Sequence, residues 1–398
     1  MRALLLENVH PDAVTLLTGA GIVVDVADKA LGESDLIAAL DGVQLLGIRS
    51  KTDVTAAALT AAPDLLAIGA FCIGTNQIEL EFANTRGVAV FNAPFSNTRS
   101  VVELALAEII ALTRRLTQKN ADMHAGVWDK SATGAHEIRG RRLGIIGYGN
   151  IGAQLSVLAE ALGMSVAFFD TADKLALGNA KRCDSLDELL SCSDIVSLHV
   201  DGRPTNRDIF GAEQFARMPS GSLFLNLSRG FVVDHVALRA NIESGHLAGA
   251  AVDVFPHEPA GKGDEFVSEL RGLDNVILTP HIGGSTEEAQ QDIGRYVAGK
   301  LRDFVVDGAT TMSVNLPHLV LPAKPDGHRI AHLHHNVPGV LATINGLLAE
   351  HKVNIEAQLL GTRGDLGYVL TDIAVDYPAD VLDALRAMDE TVRVRLLS

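Results

Sequence analysis

Between Arg142 and Asp170 the chain reads RLGIIGYGNIGAQLSVLAEALGMSVAFFD, and no other stretch narrows the fold as much. Leu143 to Ile146 is a short apolar run of the kind that forms a buried parallel strand. Gly147, Gly149 and Gly152 follow in the spacing G-x-G-x-x-G. Leu155, Leu158, Ala159 and Leu162 then recur at helical intervals. Val166 to Phe169 is a second apolar run, and it ends on Asp170. Dinucleotide binding asks for these parts in this order. Gly147 permits a tight strand-to-helix turn, Gly149 lets the backbone approach a pyrophosphate, and Gly152 lets helix and sheet pack closely. The helix N-terminus would face the phosphates. Asp170, roughly 20 residues beyond the glycines, suits the ribose hydroxyls. Its charge repels a 2′-phosphate, so NAD is expected rather than NADP. NADP would call for a basic residue beside Asp170, and the next in sequence is Lys174.

A chain of 398 residues implies two or three domains. Hydrophobic residues make up 47% and charged residues 21%, which suits sizeable globular cores. The formal charge of −16 argues against non-specific nucleic-acid binding and makes any basic cluster more informative. Cys72, Cys183 and Cys192 show no C-x-x-C spacing and read as small buried residues in a reducing compartment. The opening MRALLLEN is too short an apolar run for a signal peptide. No run approaches the ~18 apolar residues of a membrane span. The expectation is a soluble cytoplasmic protein with no metal site.

Up to residue 97, strand-like runs (Ala3–Leu6, Ile22–Val26, Val43–Ile48, Leu65–Ile68, Val88–Phe91) alternate with helical ones (Asp35–Leu40, Val54–Ala62). That alternation predicts a parallel α/β sheet without a glycine fingerprint. Ligands sit at strand C-termini in such sheets. Arg49, Ser50 and Lys51 stand at one such end and suit an anion. Ser100–Leu116 reads as a long helix, and His124–Lys130 as a loop bearing Trp128, a candidate subunit contact. From Arg142 on, six strands are expected: Leu143–Ile146, Val166–Phe169, Ile195–Leu198, Ser222–Asn226, Ala250–Val254 and Val276–Leu278. A helix over Thr286–Phe304 then returns to the first domain. Prolines and a glycine in LPHLVLPAKPDG mark a linker over residues 316–327. Beyond it the order is βαββαβ: His328–His335, Val340–Leu348, Ile355–Leu360, Tyr368–Val375, Ala379–Met388 and Val392–Leu397. That is the ferredoxin-like unit.

Three strand ends after the glycine motif carry reactive side chains: Arg229 in NLSRG, Glu258 in DVFPHEP and His281 in LTPHIGG. Oxidising a secondary alcohol with NAD needs a base for the hydroxyl proton, and imidazole suits. It also needs a cation to hold a carboxylate and polarise the carbonyl, a task for a planar guanidinium. A carboxylate beside the imidazole orients it and raises its pKa. The chain holds 14 histidines, and His257 is the nearest decoy. What separates His281 from them is its joint placement with Arg229 and Glu258.

GRRLGIIGYGNIG, NLSRGFVVD, AVDVFPHEPA and LTPHIGGSTEEAQ together resemble the D-2-hydroxyacid dehydrogenases. FCIGTNQ, FNAPFSNTRSV and the C-terminal HHNVPGVL and VNI narrow the likeness to the branch that acts on a phosphorylated glycerate and carries a C-terminal ACT domain. The resemblance runs from about Leu45 onward. It implies a Rossmann NAD-binding domain (98–285) inserted in a flavodoxin-like α/β substrate domain (1–97 and 286–315). The linker (316–327) and an ACT regulatory domain (328–398) follow. It implies Arg229, Glu258 and His281 as the catalytic set. It places Gly147, Gly149, Asn150, Ile151, Gly152, Asp170, Leu227, Ser228, Asp253, Gly283 and Gly284 at NAD. Arg49, Ser50, Lys51, Gly74 and Asn97 fall near substrate, and His334, Asn336 and Asn354 at a serine effector. The implied reaction is 3-phosphoglycerate plus NAD to 3-phosphohydroxypyruvate, the first step of serine synthesis, in a homo-oligomer, with a tetramer expected. Two departures stand out. Asp326-Gly327 replaces an expected Gly-Gly hinge, and Lys51 stands where an arginine is common, weakening bidentate phosphate binding. A hydroxypyruvate/glyoxylate-type reductase and an NAD(H)-sensing regulatory protein are the rival readings.

Overall fold

The computed structural model describes residues 1–259, 263–322, 327–374, 378 and 380–397. Asp326, Val375 and Ala379, named in the expectations above, therefore lie outside the described residues. The chain forms two compact units, Met1–Ser96 with Gln290–Ser398, and Asn97–Ala289.

The first unit opens with β1 (Arg2–Leu5), β2 (Val23–Val26), β3 (Leu45–Ile48), β4 (Ala67–Ala70) and β5 (Ala89–Phe91). They pair in parallel in the order β2-β1-β3-β4-β5, the flavodoxin-like arrangement. β3, β4 and β5 are buried along their whole length, which is why they read as unbroken apolar runs. β4 starts two residues later than expected. The Leu65 amide closes a turn onto Ala62, so Leu65 belongs to the exit of the preceding helix. Helices Pro11–Gly19 and Leu80–Thr85 escaped the sequence reading. Pro11 opens the former, where its missing N–H costs nothing.

The second unit holds β6 (Arg142–Ile146), β7 (Ser165–Phe169), β8 (Lys181–Arg182), β9 (Ile195–Leu198), β10 (Ser222–Asn226), β11 (Leu247–Val252) and β12 (Val276–Leu278). All are parallel, in the order β12-β11-β10-β9-β6-β7-β8. Strand order reverses between β6 and β9, so a crevice opens at their carboxyl ends. Among the described residues the expected six strands are therefore seven. β8 is two exposed basic residues at the sheet edge and offers no apolar run to detect. The expected helix Ser100–Leu116 is Thr98–Arg114, and a second helix, Leu116–His124, follows it. Arg115 divides them in a left-handed conformation (φ 51°, ψ 38°). Trp128 lies beyond, 72% exposed.

After the helix Glu287–Asp307, the chain completes the first unit with β13 (His328–His335), β14 (Ile355–Arg363), β15 (Leu366–Ile373) and β16 (Thr391–Leu397). They form an antiparallel sheet in the order β14-β15-β13-β16, with helices Val340–Glu350 and Asp380–Arg386. This is the expected ferredoxin-like order. The returning helix packs on β4 through a glycine. A Cβ at Gly69 would lie 2.6 Å from Val297 Cγ1 and 2.9 Å from Leu301 Cδ1.

One face of the C-terminal sheet shares a core with the first sheet. Leu333, Tyr368, Leu370 and Leu397 pack with Phe91, Phe304 and Leu316. Within it Arg329 donates to both Asp372 oxygens (2.6 and 2.9 Å) and to the Asp307 and Leu321 carbonyls (3.0 Å each). No helix among the described residues is long and apolar enough to cross a membrane. Because Arg329 and Asp372 are almost fully buried, Arg329→Met should strand Asp372. Urea unfolding is then expected to show a loss of about 3–5 kcal/mol.

Candidate active site

Each element of the glycine turn has its structural reason. Gly147 has φ 91°, and a Cβ there would lie 2.5 Å from the His199 carbonyl oxygen. A Cβ on Gly152 would overlap the Gly147 carbonyl, so only glycine lets the Asn150–Ala161 helix approach β6. Gly149 faces open space, and no side chain caps this helix. Its free N–H groups and bare approach fit a pyrophosphate. Tyr148 points the other way, stacked on Phe168 (centroids 3.7 Å apart). Asp170 Oδ2 accepts the Tyr148 amide (2.7 Å) and Oδ1 the Ala172 amide (2.8 Å), so this carboxylate fixes the turn. The fold brings Arg203 near Asp170, which its sequence position could not reveal, but Arg203 is held by Asp201 (2.7 Å).

The three reactive side chains all follow strands of this sheet. Arg229 follows β10, Glu258 follows β11 and His281 follows β12. His281 Nδ1 lies 2.8 Å from Glu258 Oε2. Arg229 is close enough for its charge to act on both. The hydrogen bond to Glu258 raises the His281 pKa above the ordinary value, against an opposing effect of burial. Burial would raise Glu258, but the His281 hydrogen bond and charge, the Phe255 amide and Arg229 hold it below the usual value. With Nδ1 committed to Glu258, Nε2 is the nitrogen left for a substrate proton.

His281 itself has φ 55°, a left-handed conformation that its surroundings must impose. Asp253 does so. It accepts from Thr279 Oγ1 (2.6 Å), Ile282 N (2.8 Å) and Gly283 N (2.8 Å). Gly283 lies against Asp253, and Gly284 against the Asn97 side chain. Leu227 and Ser228 are buried beyond β10. Asn226 shapes their turn, accepting from Ser228 N (3.1 Å) and Oγ (2.7 Å) and donating to the Arg229 carbonyl (3.1 Å). Asn226 was visible in NLSRG but not singled out, because a buried strand-end amide leaves no periodic signal.

In the first unit, Arg49, Ser50 and Lys51 follow β3 and Gly74 follows β4. Glu7 anchors the first loop by accepting Lys51 N (3.0 Å) and Thr52 N (2.9 Å). Gln77 ties both loops together, donating to the Arg49 (2.6 Å) and Gly74 (3.3 Å) carbonyls. Neither residue was singled out from sequence. In the C-terminal sheet, His334 is 3% exposed, its Nδ1 2.8 Å from the His335 carbonyl. Asn336 is exposed and donates to the Gly364 carbonyl (3.1 Å). Asn354 is exposed, just before β14.

With the geometry described, comparison with known proteins gives the class. Residues 106–283 match the NAD-binding domain of the D-isomer specific 2-hydroxyacid dehydrogenases, and residues 330–393 an acetohydroxyacid-synthase small-subunit-like ACT domain. A solved D-lactate dehydrogenase from Aquifex aeolicus, complexed with NAD and lactic acid, has a TM-score of 0.66 at 26% identity, covering 76% of this chain and 95% of its own. Two D-3-phosphoglycerate dehydrogenases, from Haemophilus influenzae and from Escherichia coli K12, are each 49% identical over 100% of this chain and 97% of their own length. The chain belongs to the D-3-phosphoglycerate dehydrogenases of the D-isomer specific 2-hydroxyacid dehydrogenase family, and its cofactor is NAD.

Removing the carboxylate tests the electrostatics. In Glu258→Gln the His281 imidazole should titrate lower than in the wild type, read by NMR of the ring nitrogens. An unchanged titration would separate the two side chains in solution.

Proposed function

We propose that the protein oxidises 3-phospho-D-glycerate to 3-phosphohydroxypyruvate, the first step of serine synthesis, and that serine inhibits it through the ACT domain. The observation that carries the chemistry is the 2.8 Å contact between His281 and Glu258 beside Arg229. NAD, held by the glycine turn and Asp170, would supply the hydride acceptor. The chain's own residues do the rest. Arg229 pairs with the substrate carboxylate and polarises the C2 oxygen. His281 Nε2 takes the C2 hydroxyl proton as the C2 hydride departs, leaving a C2 ketone and one released proton. Glu258 keeps the ring oriented and stabilises the imidazolium that forms. Gly147, Gly149, Asn150, Ile151 and Gly152 bind the pyrophosphate and Asp170 the ribose. Leu227, Ser228, Asp253, Gly283 and Gly284 line the remainder of the cofactor site. Arg49, Ser50, Lys51, Gly74 and Asn97 serve the substrate's anionic groups, helped by the rigid loops that Glu7 and Gln77 maintain.

The proton balance sets the pH dependence. Oxidation needs neutral His281, so kcat/KM should rise with pH through a pKa above the ordinary imidazole value. His281→Ala should lower kcat by at least ~100-fold. A substrate panel decides the acid oxidised. Turnover of an unphosphorylated 2-hydroxy acid in preference to 3-phosphoglycerate would favour a hydroxypyruvate/glyoxylate-type reductase.

His334, Asn336 and Asn354 are the proposed serine ligands. The buried His334 Nε2 has no hydrogen-bond partner among the described residues, which supports a ligand there. Saturating serine should slow wild-type turnover, and His334→Ala should lose both the inhibition and the calorimetric heat of binding. The exposed Met123, Val127 and Trp128 are of the apolar kind that subunit contacts bury and support a homotetramer, which we place in the cytoplasm. Light scattering of the purified chain tests the tetramer.

A further inference from the structure

The strand β15 carries a glycine that no turn requires. Gly367 lies within Leu366–Ile373, and its φ is outside the left-handed region. A glycine inside a strand weakens it and often marks the close approach of another group. Here the group is an imidazole. His334 of β13 pairs directly across from Gly367. A Cβ on Gly367 would overlap His334 Cε1 and lie 2.6 Å from Nε2 and 3.0 Å from Nδ1. The ring therefore fills the volume that a side chain at 367 would take.

That ring is held on its other sides as well. Ile330, His332 and His334 alternate onto one face of β13, where Ile330 packs with Val340, Ile344, Val369 and Val381. His332 is 1% exposed, and its ring meets His334 edge-on with centroids 5.7 Å apart. His332 is fixed in turn by Thr391, its Nε2 2.8 Å from Oγ1. A carbonyl only accepts, so the 2.8 Å contact to His335 O puts a proton on His334 Nδ1. In the neutral ring Nε2 then keeps its lone pair, buried and without a partner among the described residues.

We infer that Gly367 is a positioning residue of the effector site: its bare Cα is the seat of the His334 imidazole, and any larger residue there would drive the ring from the place where it offers Nε2 to a ligand. The inference rests on the serine reading proposed above, since His334 is the group positioned. A methyl at 367 cannot share that volume with the ring. The ring must rotate, and rotation breaks the bond from Nδ1 to the His335 carbonyl.

The test is inhibition of the full-length enzyme by L-serine, each variant measured against its own uninhibited rate. Gly367→Ala should need at least ~10-fold more serine for half inhibition, the cost of misplacing a buried acceptor. The calorimetric affinity should fall by the same factor. Val381→Ala removes packing from the same core without adding bulk at the ring. It should lower Tm and keep wild-type sensitivity, which separates positioning from stability. A second reading needs no serine. His334→Ala empties the space, so Gly367→Ala should lower Tm in the wild type and not in His334→Ala. If Gly367→Ala alone does not fold, the double variant should fold again. Wild-type sensitivity in a folded Gly367→Ala overturns the inference, as does an equal loss of Tm, or of folding, in both backgrounds. A wild type that serine neither binds nor inhibits would instead overturn the serine reading, leaving the Tm comparison to decide whether Gly367 seats the ring.

Discussion

The geometry of the candidate site depends on one buried carboxylate with a strained neighbour. Asp253 lies at the tip of a parallel sheet, where backbone N–H groups beyond the strand ends converge. By taking the hydroxyl of Thr279 and two consecutive amides, it forces the Pro280–Gly283 segment to double back. His281 is left with a positive φ, the cost of which the clamp offsets. Only in that conformation does the ring present Nδ1 to Glu258, which arrives on a different loop. The ion pair thus follows from backbone geometry.

The parts of the fold legible in the sequence were those with a period or a spacing. The glycine turn, the buried strands and the βαββαβ tail each announce themselves through sterics or apolar patterning. Arg229, Glu258 and His281 can be read together because parallel sheets collect ligands at strand ends, and the structure brings His281 and Glu258 into contact. What escaped had no such mark. β8 is held by its neighbour rather than by apolar content. The break at Arg115 sits within one continuous helical pattern, because an arginine carries no signature of the left-handed region. Glu7, Gln77 and Asn226 each work through hydrogen bonds, two of them to residues far along the chain. Glu108 reads in sequence as the polar edge of a helix. Only its burial shows otherwise.

The C-terminal sheet is bound to the first sheet by polar contacts as well as by the shared core. Arg393 donates to the Leu65 carbonyl (2.6 Å), Tyr368 to the Gly308 carbonyl (2.9 Å), and Arg395 lies over the Phe304 ring at 4.0 Å. These donors meet backbone carbonyls at helix ends and turns, where no intrahelical partner is available. Burying guanidinium groups is costly unless they find acceptors; Arg329 and Arg393 find theirs, whereas Arg395 Nη1 is buried with no hydrogen-bond partner among the described residues.

That arrangement bears on how such a chain can be shortened. Phe304, Val305 and Leu316 are buried by a core to which the C-terminal sheet contributes. A polypeptide stopped before the sheet would meet water with those side chains, and with carbonyls that had lost their arginines. A naturally compact version lacking the sheet would have to carry polar replacements along the end of the Glu287–Asp307 helix. The C-terminal sheet is therefore written into the interior of the first unit and cannot simply be unplugged.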